Sequence, residues 1–417
     1  MNSIEVNLAL LVLGGLVLVL GLLSGFLKER LFLSDPVVAL LLGVVLSPAV
    51  FGAIDLHHWG QPEGILEQSA RIAIGIQLMG IALRLPPGFV RQKWRPLTVL
   101  LGLVMPLMWL ASALLVYLIL GLPFWVSMLL GAVISPTDPV VATSIVTGRV
   151  AERNLPDRIR YILSAESGIN DGLAYPFVML PILFLTRSPG EAVWHWLSRT
   201  LLWEVVGAVI LGLTAGYLAG WLLKWAERKQ LIDKQSFLAY TVALSLVVLA
   251  GVKLMGGDGI LAVFVAGCTF SMVVRNRDRA EEEEVQEAVD RLFTVYVFVI
   301  LGLFIPWRGW MDLGWRGVIF AIALLLLRRL PAIFALRRWL PECDRRADLL
   351  FMGWFGPIGV AAIFYAMLAL RKAGVGVAWD VASLAICASI VVHGFTAIPF
   401  TKLYPSLREK GRSENRH

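Results

Sequence analysis

The sequence predicts an all-α polytopic membrane protein of about thirteen transmembrane helices, and three observations carry that prediction. The 417-residue chain is 58% hydrophobic and only 16% charged, with a mean hydropathy of +0.76, which leaves almost no residues for a soluble domain. Apolar segments recur along its whole length, separated by charged or Gly/Pro-rich breaks. Lys and Arg are shared unequally between alternate breaks, as membrane topology requires.

The segments fall near residues 6–27, 35–54, 65–85, 96–122, 124–148, 159–186, 200–223, 237–256, 259–274, 292–307, 315–336, 348–370 and 381–403. The first lacks a basic leader and is longer than a signal-peptide core, so it reads as a retained span. An odd number of spans puts the termini on opposite faces. With the N-terminus outside and the C-terminus cytoplasmic, 27 of the 37 Lys and Arg residues fall on the cytoplasmic side and six on the other. That asymmetry supports the threading, and the expected location is the plasma (bacterial inner) membrane. It also explains the net charge of +7 without invoking nucleic acid.

Arg71, Lys253, Arg328 and Arg329 lie within apolar segments. Arg71 and Lys253 are placed where a long side chain snorkels to the interface, whereas Arg328 and Arg329 are deeper, and at least one needs an acidic partner. The charged run from Arg275 to Arg291 reads as a short surface helix. His393 reads as a hydrogen-bonded core histidine. Cys268, Cys343 and Cys387 have no metal-cluster or disulfide spacing, and no cofactor is expected. The stretch after Tyr404 is short, so no large soluble regulatory domain is expected either.

If segments 1–6 form one unit and segment 7 crosses once, segments 8–13 start from the opposite face, which is the arithmetic of two inverted six-helix repeats. Segments 5 and 12 then occupy matching positions, and both carry helix breaks. In segment 5, Pro136 and Pro139 flank Thr137 and Asp138, an order that stops one helix and starts another. In segment 12 the break is Gly356, Pro357 and Gly359. Interrupted helices in corresponding positions point to a transporter with a site at mid-membrane.

Segment 6 supplies the chemistry. It buries Glu166, Ser167, Asn170 and Asp171 at membrane depth, where a carboxylate is costly and by default functional. At helical spacing Ser167 and Asp171 share one face, and Glu166 and Asn170 share another about 100° round. A carboxylate reached by water from one side at a time, with hydroxyls and an amide around it, suits a hard monovalent cation. Burial penalises its empty charged form, so proton and cation compete for it. We assign that role to Asp171, with Ser167, Thr137 and Asp138. Asp138 reads equally as a helix N-cap. Glu166 is the natural buried partner of Arg328 (or Arg329), and Asn170 is placed to brace the broken helices.

At Thr137-Asp138-Pro139, at Glu166-Ser167-Gly168-Ile169-Asn170-Asp171-Gly172 and at the arginine of segment 11, the chain resembles the monovalent cation:proton antiporters of the NhaP/NHE type. The resemblance spans nearly the whole chain and implies an NhaA-like antiporter fold. It implies a homodimer in the lipid bilayer in which a core (96–190 and 311–404) moves as an elevator against a dimerisation domain (1–95 and 191–310), with a short tail at 405–417. It also implies that Asp171 binds the ion, assisted by Ser167, Thr137, Asp138 and Asn170, and that Glu166 pairs with the arginine. The Asn170-Asp171 pair goes with electroneutral one-for-one exchange of Na+, or Li+, for H+. The segment 11 arginine is often followed by proline in the family. Here Arg329 follows Arg328 and proline comes only at Pro331, so either arginine fits. Some members carry an acid in segment 3, where this chain has Gln77.

A K+/H+ antiporter of the same fold uses the same oxygen ligands and stays open as an alternative. An intramembrane aspartyl protease is a remote one, because its Tyr-Asp and Gly-x-Gly-Asp motifs do not surround Asp138 or Asp171.

Overall fold

The computed structural model describes residues 3–30, 33–138, 143–231, 239–274, 276–340, 343 and 345–414. Among the described residues the secondary structure is helical throughout, with no strand. Every apolar segment predicted above contains helix.

The elements that place the site are α1 (Ser3–Arg30), α2 (Asp35–Leu46), α3 (Pro62–Arg84), α4 (Trp94–Leu120), α5 (Phe124–Val133), α6 (Asp157–Thr186) and α7 (Pro189–Arg228). They continue with α8 (Tyr240–Leu254), α9 (Gly259–Val273), α10 (Asn276–Leu303), α11 (Trp307–Leu327), α12 (Arg346–Trp354), α13 (Val360–Ala373) and α14 (Val377–Glu414). Among the described residues, five helices are long and apolar enough by themselves to cross a membrane: α4, α6, α7, Trp307–Ala335 and the Val377–Arg408 part of α14.

The helices pack as two groups. In one, α2 and α3 lie along α10, while α7, α8 and α3 surround α9. In the other, α4 packs on α5, α5 on α6 and α13, and α14 on α11, α12 and α13. The groups meet where α3 crosses α13 and where α6 lies against α9 and the start of α7.

Small residues let the backbones approach. Gly212, Gly216 and Gly220 repeat every fourth residue on one face of α7 and back onto Ala262, Ala266 and Val273 of α9. A Cβ at Gly220 would lie 2.8 Å from the Val273 side chain, and one at Gly216 would run into the Ala266 carbonyl. Small-residue stripes of this kind drive helix association where water supplies no hydrophobic force.

The charged run differs from its sequence expectation. It is no separate surface helix but the opening turns of α10, continuous with the apolar half. Gln286, inside that run, is fully buried, donates to the Ile76 carbonyl of α3 at 2.7 Å and accepts from Thr241 at 3.2 Å. The α3-facing stripe of the run is therefore structural.

Candidate ion-binding site

Both broken helices are present. The first stops after Val133, and residues 134–138 run unwound before helix resumes by Thr143–Val146. Pro136 sits in this unwound stretch, while Pro139 lies outside the described residues. The second unwinds over residues 355–359, between α12 and α13, with Gly356, Pro357 and Gly359 in the gap. The two breaks cross and bond to each other: the Asp138 amide donates to the Pro357 carbonyl at 2.7 Å.

The ends of α5, α12 and α13, so close together, need compensating charge, because each leaves unpaired backbone groups and a fractional dipole charge. The structure supplies it from two side chains. Arg328, buried in the crossing, donates to the carbonyl of Ile134 at 2.5 Å and to the carbonyl of Gly356, so it sits at the negative ends of α5 and α12. Asp138 is 1% exposed, and its Oδ2 accepts from the Val360 amide at the positive end of α13. A side chain at Gly359 would occupy the space of that carboxylate, which is why a glycine stands there. Asp138 is thus an N-cap, but of the opposite broken helix. Its Oδ1 accepts from Gln77 Nε2 at 3.3 Å. Gln77 is 3% exposed on α3, so this bond reaches the carboxylate from the other helix group.

α6 grips the first break. Asn170 donates from Nδ2 to Thr137 Oγ1 at 2.7 Å and accepts from the Thr137 amide at 3.2 Å, so its side chain is committed to bracing. Both of these bonds fasten α6 to the first break. Thr137 Oγ1 also lies 3.0 Å from Ser167 Oγ. Asp171, one turn along from Ser167, is 1% exposed, and its Oδ1 is buried with no hydrogen-bond partner. Its carboxylate and that of Asp138 are close enough to act on each other electrostatically. The Tyr365 hydroxyl of α13 donates to the Asp171 carbonyl at 2.5 Å and holds this turn of α6 in place.

Glu166 faces away from this cluster. Its carboxylate accepts two hydrogen bonds, from Arg329 Nη1 at 2.6 Å and Nη2 at 2.7 Å, with both side chains almost fully buried. Arg329 Nε also donates to the Met352 carbonyl of α12 at 2.8 Å. Of the two arginines that the sequence leaves open, the partner is Arg329, and the pairing with Arg328 is corrected. α11 ends at Leu327 and the backbone turns at residues 328 and 329, so the adjacent arginines diverge, one to the breaks and one to the acid.

His393 is a satisfied core histidine, as expected. Its Nε2 is 3.0 Å from the Trp354 carbonyl, and its Nδ1 is 3.1 Å from Ser389 Oγ, which accepts from the Ile358 amide at 2.7 Å. These bonds fix the second break to α14. Tyr365 and Ser389 had no sequence signal, since a lone hydroxyl in an apolar segment is unremarkable. Gln77 was visible as a central amide but its partner was not.

The family model described as "Sodium/hydrogen exchanger, transmembrane" matches residues 15–403. The chain belongs to this family. A Na(+)/H(+) antiporter of Saccharomyces cerevisiae is 35% identical over 84% of the chain and 36% of its own length. Na(+)/H(+) antiporter 2 of Zygosaccharomyces rouxii is 35% identical over 84% of the chain and 44% of its own length. The chain spans less than half the length of these two exchangers. A third, from Schizosaccharomyces pombe, is 30% identical over 94% of the chain and 89% of its length. Among solved structures, the sodium proton antiporter MjNhaP1 of Methanocaldococcus jannaschii shares the fold, with a TM-score of 0.74, 19% identity, and coverage of 98% of this chain and 99% of that one.

Proposed function

We propose that this chain is a secondary transporter exchanging Na+, and Li+ with it, for H+, one for one and without net charge movement. The observation that carries the reading is Asp171, a buried carboxylate whose Oδ1 lacks a partner while the polar groups around it are committed to one another. One carboxylate neutralised either by one monovalent cation or by one proton carries the same net charge in both directions. The empty, charged form is the state that burial penalises, so exchange is obligatory. The cation is substrate, held by Asp171 and Ser167 with Thr137 and Asp138 from the first break. Asn170, assigned to this set from sequence, is better read as the brace that holds Thr137 there.

The grouping of the helices supports an elevator. Both breaks, α6 and Arg328 belong to one group, so they travel together, and the Gln77 to Asp138 bond is a contact that a shift along α3 would break. We read that group as the core, residues 1–95 and 191–310 as the dimerisation domain of a homodimer, and the halves as inverted repeats making about thirteen crossings. The Lys/Arg asymmetry supports a cytoplasmic C-terminal side. Four relatives at 30–35% identity come from yeasts, and they give the bacterial inner membrane no support.

Relatives at 26% and 23% identity are K(+)/H(+) antiporters, from Alkalimonas amylolytica and Shewanella, so the test includes potassium. Everted vesicles carrying the protein should lose an imposed pH gradient on addition of sodium or lithium, over about pH 6 to 9. A response to potassium alone would replace this reading with K+/H+ exchange. No response to any alkali cation would overturn it.

A further inference from the structure

A second buried carboxylate lies one step outward from the site. Asp258, in the connection between α8 and α9, is 5% exposed. Its Oδ1 caps α9, accepting from the amides of Ile260 at 3.0 Å and Leu261 at 3.3 Å. Its Oδ2 is buried and has no hydrogen-bond partner. The Asp258 amide donates to the Glu204 carbonyl at 2.9 Å, which pins the connection to α7. Glu204 repeats the pattern: its carboxylate is met by the Tyr175 hydroxyl and, at 3.8 Å from Oε1, by Arg199, while Oε2 is buried without a partner.

Asp258 lines a recess of about 20 Å³ together with Arg71, Tyr175, Lys253 and Phe364, which is room for one water molecule. The recess adjoins the level of Asp171. Gly172 backs directly onto Leu261, where a Cβ would come within 2.8 Å of the Leu261 Cα. Tyr175 is one turn of α6 beyond Asp171, a rise of about 5.4 Å. Its hydroxyl faces Glu204, and Tyr365, bonded to the Asp171 carbonyl, is close to both Tyr175 and Asp258.

We propose that Asp258, with Glu204 and Tyr175 beside it, is the proton-loading station of the exchanger on the face opposite its basic loops. A water-borne proton binds Asp258 Oδ2, forming an O–H bond. That bond breaks when the proton moves on to the Asp171 carboxylate past Tyr175 and Tyr365, and the Asp258 carboxylate is restored. The proposal rests on the exchange reading and on a cytoplasmic C-terminal side.

The surroundings select a proton over an alkali cation. Two free carboxylate oxygens and a phenol are few ligands for a metal ion, Arg71 from α3 and Lys253 from α8 line the recess, and Arg199 and His195 from α7 and Lys372 from α13 lie close enough to Glu204 to act on it electrostatically. Burial pushes the Asp258 carboxyl up to about 7, and Glu204 adds to the rise, against the opposing pull of its backbone hydrogen bonds and of Lys253. A carboxyl raised towards neutrality suits an acid and base in turn.

The test uses purified full-length protein in proteoliposomes of one orientation, with the cytoplasmic-side pH held and the outer pH stepped from about 6 to 9. Sodium efflux by the native protein should rise as outer pH falls, with a midpoint near the value of about 7 given by Asp258. Asp258→Asn should move that midpoint by at least about one unit or abolish it, while the inner-side sodium KM stays unchanged. Asp258→Ser retains a helix-capping oxygen without a titrating group and should behave as Asp258→Asn does. Variants that exchange with the native outer-pH midpoint, whatever their rate, would overturn the station and leave the exchange reading intact. A native protein that exchanges no cation would overturn both.

Discussion

Vesicles carrying Asp171→Asn should keep an imposed pH gradient when sodium or lithium is added, at the level of vesicles without the protein. Asparagine has the shape of the native side chain, so the packing of α6 against Tyr365 and α9 survives. What it lacks is a charge to neutralise: it binds neither proton nor cation, and the two loaded forms whose exchange drives transport no longer exist. The check is folded protein, by size-exclusion profile, together with lost exchange. Exchange persisting in the folded variant would remove Asp171 from the site.

Replacing Arg329 with alanine should cost about 3–5 kcal/mol of stability, because it leaves Glu166 as a buried charge with no partner. Glu166→Gln in the same chain removes that charge, so the double variant should recover most of the loss, measured as a thermal unfolding midpoint in detergent. Arg328→Ala gives the contrast. It strips the cation from the carbonyls of Ile134 and Gly356 at the two breaks, and Glu166→Gln should not rescue it. Rescue of Arg328→Ala alone would restore the pairing first expected from the sequence.

The two arginines mark where the sequence stops informing. Glu166, Ser167, Asn170 and Asp171 were legible because four polar groups at helical spacing inside an apolar segment cost too much to bury for packing alone. The breaks were legible because Pro136 and Pro357 lack the N–H that a helix needs, and Gly356 and Gly359 beside the second weaken the helix further. Which of two adjacent arginines meets Glu166 depends on backbone turns after Leu327 that no periodicity encodes. Asp138 was legible as a cap of the helix restarting beside it or as an ion ligand, but the amide that it meets is Val360 of a distant helix, which only the crossing of the breaks brings to it. The run at 275–291 misled because composition averages over all faces of a helix, while burial of Gln286 depends on one stripe. Glu204 lay in segment 7 and Asp258 in the break between segments 8 and 9, with no motif to join them.

The account stands on one carboxylate that takes a proton or a cation but not both. The apparent KM for sodium, measured in proteoliposomes with equal pH on both faces, tests that directly. Competition predicts that KM rises about tenfold for each pH unit lowered on the acid limb while the saturated rate stays level. A sodium KM that holds constant across pH as the rate titrates would mean that the two ions occupy different groups, and the single-site exchanger would be wrong.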